Sequence, residues 1–269
     1  MTIAKPFLAA AALALVSTVA VADSASDWSQ GGYARVRLIN AGNPEPGVWR
    51  AGLEIDLKDG WKTYWRSPGE TGVPPIFDWT PSDGVASVEV HWPTPVRFVD
   101  SGLTSIGYKG DVVLPIEIRT TGDTPPKLDL ALSYAVCSDI CVPEEATVTL
   151  DLSGGASPRG RVEVEASLAK VPERTMSGTN IAVARPGKTR QDPIEIELVS
   201  GTSPERVFVE GPEDWYLPAP EAATNDGTVT LSLPTGGIPD AADLDGVKLT
   251  VTALGPDGAW EETVELTAR

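Results

Sequence analysis

Histidine occurs once in these 269 residues, and methionine and cysteine occur twice each. With His91 the only imidazole, a Ser-His-Asp hydrolase would have to use it, and no nucleophile-elbow motif accompanies it. Basic side chains are scarce, 21 against 38 acidic for a net charge of −17. That balance argues against nucleic acid or anionic lipid as a partner. No Gly-rich phosphate loop is present, and no carboxylate pairing stands out as a glycosidase couple. Beyond residue 22 no apolar run approaches the ~18 residues of a membrane helix. Long helical periodicity is missing as well.

What is present begins with an export signal. Lys5 precedes an apolar run from Phe7 to Val16, and Ala20-Val21-Ala22 has the small-x-small form that a signal peptidase cuts. Residues 1–22 are therefore expected to be a signal peptide, with Asp23 the mature N-terminus. The expected product is a soluble periplasmic protein, in a compartment where disulfides persist.

Short alternating runs dominate the remainder. Leu53, Ile55 and Leu57 alternate with Glu54 and Asp56, and Val88, Val90 and Trp92 with Glu89 and His91. Leu114, Ile116 and Ile118 follow, then Leu128 to Val136 and Ala146 to Leu152. A Gly- and Ser-rich break at Ser153–Gly160 reads as a linker, residues 154–160, with one short helix expected over 161–171. Further strands are expected at 194–198, 206–210, 228–233, 247–252 and 260–266. The pattern predicts an all-β chain of two immunoglobulin-like β-sandwich domains in tandem, 23–153 and 161–269. Six of the eight tryptophans lie between Trp28 and Trp92, as core and loop anchors or as an aromatic platform for sugar or peptide.

The only cysteines, Cys137 and Cys141, stand four residues apart in Tyr-Ala-Val-Cys-Ser-Asp-Ile-Cys-Val-Pro-Glu. A disulfide closing so small a loop gains roughly 2 kcal/mol of loop entropy, against about 4–5 for a loop of a hundred residues. The pair is poorly sited as a staple and well sited as a chemical device. Placing Cys137 opposite Cys141 across Ser138-Asp139-Ile140 sets Val136 against Val142, Tyr134 against Glu144, Leu132 against Ala146 and Leu130 against Val148. Apolar residues then meet on one face, the register a buried face demands. The cysteines fall on the opposite face with Ser133, Ala135, Thr147 and Thr149, where partners reach them. Tyr134 and Glu144 are expected to keep a wet polar tip. Asp139, Glu144 and Glu145 are the only charges near the loop in sequence, and acidic neighbours raise thiol pKa values. Such a pair fits a disulfide attacked by a partner's thiolate. Two other readings stand: an exported binding or assembly module with a structural hairpin disulfide, and a Cu(I) site built from His91 and the two cysteines.

Four further motifs accompany the cysteine segment: Gly60-Trp-Lys-Thr-Tyr-Trp-Arg-Ser-Pro-Gly69, Gly72-Val-Pro-Pro75, His91-Trp-Pro-Thr-Pro-Val-Arg-Phe98 and Gly107-Tyr-Lys-Gly-Asp-Val-Val-Leu-Pro115. In these the chain resembles the periplasmic N-terminal region of the DsbD/ScsB family of membrane thiol–disulfide reductases. Together they cover most of residues 45–150. The resemblance implies an immunoglobulin-like redox domain without a cofactor. Electrons would pass from a membrane-embedded DsbD-, ScsB- or CcdA-like donor, or its thioredoxin-like domain, to periplasmic thiol–disulfide clients. It further implies that Cys141 forms the mixed disulfide and Cys137 resolves it. A cap loop between Phe98 and Tyr108, including Leu103 and Ile106, would shield the pair, with Tyr64 and Asp139 modulating it. Full-length members continue into a membrane domain and a Cys-x-x-Cys module. The sequence to Arg269 carries neither, so a stand-alone exported protein with a separate donor is expected.

Overall fold

Alternation decides the first half of the molecule. In the computed structural model, which describes residues 24–100, 103–122, 124–189, 191–213, 215, 217–239 and 243–267, eleven strands precede one helix and eight follow it. The expected signal peptide lies outside the described residues. The first eleven are β1 (Ser29–Gln30), β2 (Ala34–Glu45), β3 (Val48–Leu57), β4 (Lys62–Gly69), β5 (Ile76–Asp78), β6 (Val85–Val90), β7 (Val96–Asp100), β8 (Leu103–Lys109), β9 (Val112–Thr120), β10 (Lys127–Cys137) and β11 (Cys141–Asp151). One sheet runs β1-β2-β3-β9-β6, and the other runs β11-β10-β4-β8-β7 with β5 attached to β10. Between them lie Leu53 and Ile55 from β3, Leu114, Ile116 and Ile118 from β9, and Leu128 to Val136 from β10. Each fully buried aliphatic side chain of this kind contributes roughly 1.5–3 kcal/mol.

Helix α1 (Pro158–Leu168) starts three residues earlier than the expected helix, inside the stretch read as a linker. Ser157 caps it, its hydroxyl accepting from the Gly160 N–H, and Pro158 supplies a pre-set φ at the first turn. It packs on β2, β3 and β9 of the first unit. A Cβ on Gly52 would lie 2.8 Å from both Val113 and Val164, so this glycine makes the recess that the helix fills.

The remaining strands are β12 (Glu173–Arg174), β13 (Ile181–Arg185), β14 (Ile194–Leu198), β15 (Arg206–Glu210), β16 (Glu221–Asn225), β17 (Thr228–Leu233), β18 (Lys248–Gly255) and β19 (Gly258–Glu265). They form two four-stranded sheets, β12-β19-β18-β15 and β13-β14-β17-β16, around a separate core that includes Ile196, Leu231, Leu249 and Val251. The chain is thus nearly all β, in two sandwich units of immunoglobulin-like character.

The units meet through β15. Phe208, 1% exposed, belongs to the first unit's core and lies 5.7 Å from the Trp65 ring. Next to Trp65, Arg66 grips Glu210 with bonds of 2.6 and 2.9 Å and also reaches Glu261. Arg97 on β7 donates to the Val207 carbonyl at 2.8 Å.

Candidate functional site

The site sits where β10 turns into β11. The observed register pairs Leu128 with Leu150, Tyr134 with Glu144, Val136 with Val142 and Cys137 with Cys141, as the alternation requires. A disulfide joins the two cysteines, whose Cα atoms are 4.2 Å apart. The pair is asymmetric. Cys141 is exposed, while Cys137 is only 4% exposed, enclosed with Tyr64 and Ala135. The expectation that both cysteines lie open to partners therefore holds for Cys141 alone, because β4 lays Tyr64 over the incoming strand. The Tyr64 hydroxyl stands 3.3 Å from the Cys141 Sγ.

Strand pairing assigns the other expected residues to faces. Lys62 on β4 is opposite Cys137 on one side and Lys109 on the other, and Tyr64 is opposite Gly107. On β7 and β8, Phe98 faces Ser105 and Arg97 faces Ile106. Phe98 and Leu103 thus share the cysteine face, whereas Ile106 and Tyr108 point into the core. The Tyr108 hydroxyl donates to the Pro93 carbonyl at 2.8 Å, and burial pushes its phenol well above its ordinary pKa. The segment expected as a cap loop is largely two paired strands; residues 101 and 102 lie outside the described residues. Gly107 allows the close approach, since a Cβ there would stand 2.0 Å from the Thr63 carbonyl oxygen.

Three features have no local sequence signal. Lys62 is 8% exposed, with its Nζ 4.9 Å from the centroid of the Phe98 ring. Glu144 is not a wet tip but is likewise 8% exposed. Its carboxylate accepts from the Tyr33 N–H at 2.7 Å and the Tyr134 hydroxyl at 2.8 Å. Burial, and then this bond to a carboxylate, raise the Tyr134 phenol pKa. Finally, Ile76 lies opposite Ser133 and so joins Leu103 and Ile140 as exposed apolar side chains around the cysteine face. Asp139 is exposed at the tip of the turn.

His91 lies elsewhere. It lines a cavity of about 130 Å³ with Arg66, Arg174 and Glu261 where the units meet, and burial holds its imidazole below the ordinary value. Among the described residues no three His, Cys, Asp or Glu side chains are grouped to hold a metal ion. No described helix is long and apolar enough to cross a membrane. Trp65 is core, and Trp49, Trp61, Trp79 and Trp92 pack against it, which fits anchoring rather than a platform.

A covered cysteine, an exposed cysteine and a tyrosine hydroxyl on the latter make a compact disulfide hairpin. Residues 41–153 match the family described as thiol:disulfide interchange protein DsbD, N-terminal. That segment is thus similar to a DsbD-type N-terminal domain. The crystal structure of the N-terminal periplasmic domain of ScsB from Proteus mirabilis aligns at 25% identity and a TM-score of 0.74, covering 91% of this chain and 99% of that one. The second β unit thus falls within the likeness, beyond the segment that matches the DsbD family. A marsupial T cell receptor aligns at 10% identity with a TM-score of 0.21, too low to bear on the argument. No curated protein matches the chain. The segment that matches this family holds both cysteines, joined in a disulfide.

Proposed function

We propose that this protein is a periplasmic relay of reducing equivalents, taking them from a membrane-embedded DsbD-, ScsB- or CcdA-like donor, or its thioredoxin-like domain, and passing them to exported clients. The observation that carries this reading is the asymmetry of the pair, Cys141 exposed and Cys137 covered. A donor thiolate attacks the Cys141 Sγ, the Cys137–Cys141 bond breaks, and Cys137 leaves with the electron pair. The donor's second thiol then displaces Cys141, so the donor ends as a disulfide and this protein as a dithiol. Toward a client the order reverses. The Cys141 thiolate opens the client's disulfide, Cys137 attacks Cys141, the internal disulfide re-forms and the client leaves reduced.

In this reading Tyr64 hydrogen-bonds the exchanging sulfur, Phe98 and Leu103 shield it, and Ile140 and Ile76 add apolar contact for a docked partner. Ile106 and Tyr108 act only by holding β8 in the core, and Asp139 biases the electrostatics of the turn. The test is trapping. Cys137→Ala should accumulate mixed disulfides through Cys141 with a thioredoxin-like protein, identified by mass spectrometry after acid quench. Cys141→Ala should accumulate few. Equal trapping by both variants would overturn the division of roles, and trapping by neither would overturn the relay.

A further inference from the structure

The cysteine loop is acidic in sequence, yet the charged group set beside Cys137 by the fold is a lysine. Lys62 and Cys137 are directly paired across β4 and β10, so their side chains leave the sheet on one face. Paired Cα atoms of antiparallel strands stand about 4.5–5.5 Å apart, well within the reach of a lysine stem. Both residues are buried. A thiolate in such a place is disfavoured by desolvation unless a cation accompanies it. The other titratable groups near Cys137 on this face are the Tyr64 phenol, Lys109 on β8, Glu145 on β11 and Asp139 in the turn, while Lys127, Asp129 and Asp151 lie at the far ends of β10 and β11 and Arg66 is engaged by Glu210 and Glu261. Lys109, Glu145 and Asp139 are exposed, so water screens them. Lys62 is the cation that water screens least.

Building on the relay proposed above, we propose that Lys62 stabilises the Cys137 thiolate released when the disulfide opens, and that the Phe98 ring holds the same ammonium while the disulfide is intact. In the oxidised protein Cys137 carries no charge, and the ammonium lies over the ring face at 4.9 Å. That contact is a cation–π interaction, which desolvation strengthens. Once a partner thiolate has attacked Cys141, the electron pair goes to Cys137. A full negative charge then competes for the ammonium with its contacts in the oxidised protein, the ring quadrupole among them. A stabilised thiolate is the better leaving group, so reduction of the pair accelerates. In the return step the same thiolate attacks Cys141, with more of it present at neutral pH. Phe98 and Lys62 thus form one device: the aromatic shield of the pair also holds the cation that its opening calls for.

The experiment is a titration that needs no partner. In the Cys141→Ala chain, where Cys137 is the single thiol, thiolate absorbance near 240 nm is followed against pH. Adding Lys62→Met should move the transition upward by about one pH unit or more, as loss of an adjacent opposite charge does. Lys62→Arg should restore it. With both cysteines present, Lys62→Met should slow reduction of the disulfide by dithiothreitol several-fold. Phe98→Ala, which removes the shield but keeps the charge, should leave the Cys137 transition at or below the parent's. Unchanged titration in Lys62→Met, equal shifts in the Met and Arg variants, or an upward shift in Phe98→Ala would each overturn the proposal. Should Lys62→Met fail to fold, Lys62→Gln removes the same charge and carries the same expected upward shift, with an unchanged transition again overturning the proposal. These outcomes are independent of trapping: a shifted thiol without mixed disulfides would overturn the relay and leave Lys62 assigned.

Discussion

Among the described residues each β unit buries one carboxylate, and the two are used alike despite very different surroundings. In the second unit Glu262, 1% exposed, accepts from the N–H groups of Gly178 at 2.8 Å, Asn180 at 2.8 Å and Ile181 at 3.4 Å, and from the Thr175 hydroxyl at 3.1 Å. In the first, Glu144 accepts from the Tyr33 N–H and the Tyr134 hydroxyl. Both acids gather the segment that enters a sandwich: residues 175–181 for Glu262, and the turn before β2 for Glu144. A Cβ on Gly31 would stand 2.0 Å from the Glu144 carboxylate, so the turn is shaped around it. Buried polar groups persist where their partners are satisfied, and backbone N–H donors satisfy a carboxylate well. The second unit has no cysteine and no histidine. Because the same device recurs there, three residues' distance from Cys141 does not make Glu144 a chemical participant. It is architecture.

That parallel can be broken most directly by removing both acids. Glu262→Ala takes the acceptor from five donors, the Asn180 side-chain amide included, at about 1–3 kcal/mol for each one left buried and unpaired. A loss of about 3 kcal/mol or more is expected in urea unfolding. Glu144→Ala strands two donors and should cost about 2 kcal/mol, with dithiothreitol reduction of the disulfide unchanged. A slower or faster reduction at unchanged stability would end the parallel and return Glu144 to the chemistry.

The cysteines sharpen the contrast from the other side. Cys137→Ser together with Cys141→Ser should lower unfolding stability by no more than about 2 kcal/mol, because the loop closed is so short. Collapse of the first unit in that variant would make the disulfide a staple and the hairpin as structural as Glu262.

The smallest expected effect concerns His91, at the seam between the units. Burial is the main cause holding its imidazole below the ordinary value, so the unfolded chain binds a proton more readily than the folded one. Stability should therefore fall as pH drops through about 6.5. His91→Gln should flatten that part of the pH profile in thermal melts. An unaltered profile would assign the acid sensitivity to the carboxylates around Arg66 and Arg174 instead.

The hairpin was legible in the sequence because its register is local. Alternation from Leu128 to Leu150 and a three-residue turn leave one pairing that buries a single face. Strands 194–198 and 228–233 were legible for the same reason, each alternating apolar and polar residues, while 206–210 stood out as a short apolar run, Val207-Phe208-Val209. The lysine beside Cys137 was not, since pairing of β4 with β10 joins residues more than seventy positions apart and leaves no periodic trace. The β7–β8 pair was expected as a cap loop from the family resemblance, whereas the bareness of Gly107 admits the Thr63 carbonyl and lets β8 pair closely with β4. The helix start had a signal that the apolar spacing overrode: Ser157 followed by Pro158 marks a cap and first turn. Strand β16 is exposed throughout, so no hydrophobic pattern could announce it.

Strand β4 faces two ways. Its even positions, Lys62 and Tyr64, look toward the sulfurs, while Trp65 looks into the core. The Thr63 hydroxyl is bonded to the Ala135 carbonyl at 2.9 Å, which pins this phase. Since side chains alternate, a slip of a single residue would exchange the two sets, presenting an indole to the disulfide and sinking an ammonium among leucines. Intermediate settings do not exist. The cysteine face is therefore digital: it is written in full by the correct register or is not written at all.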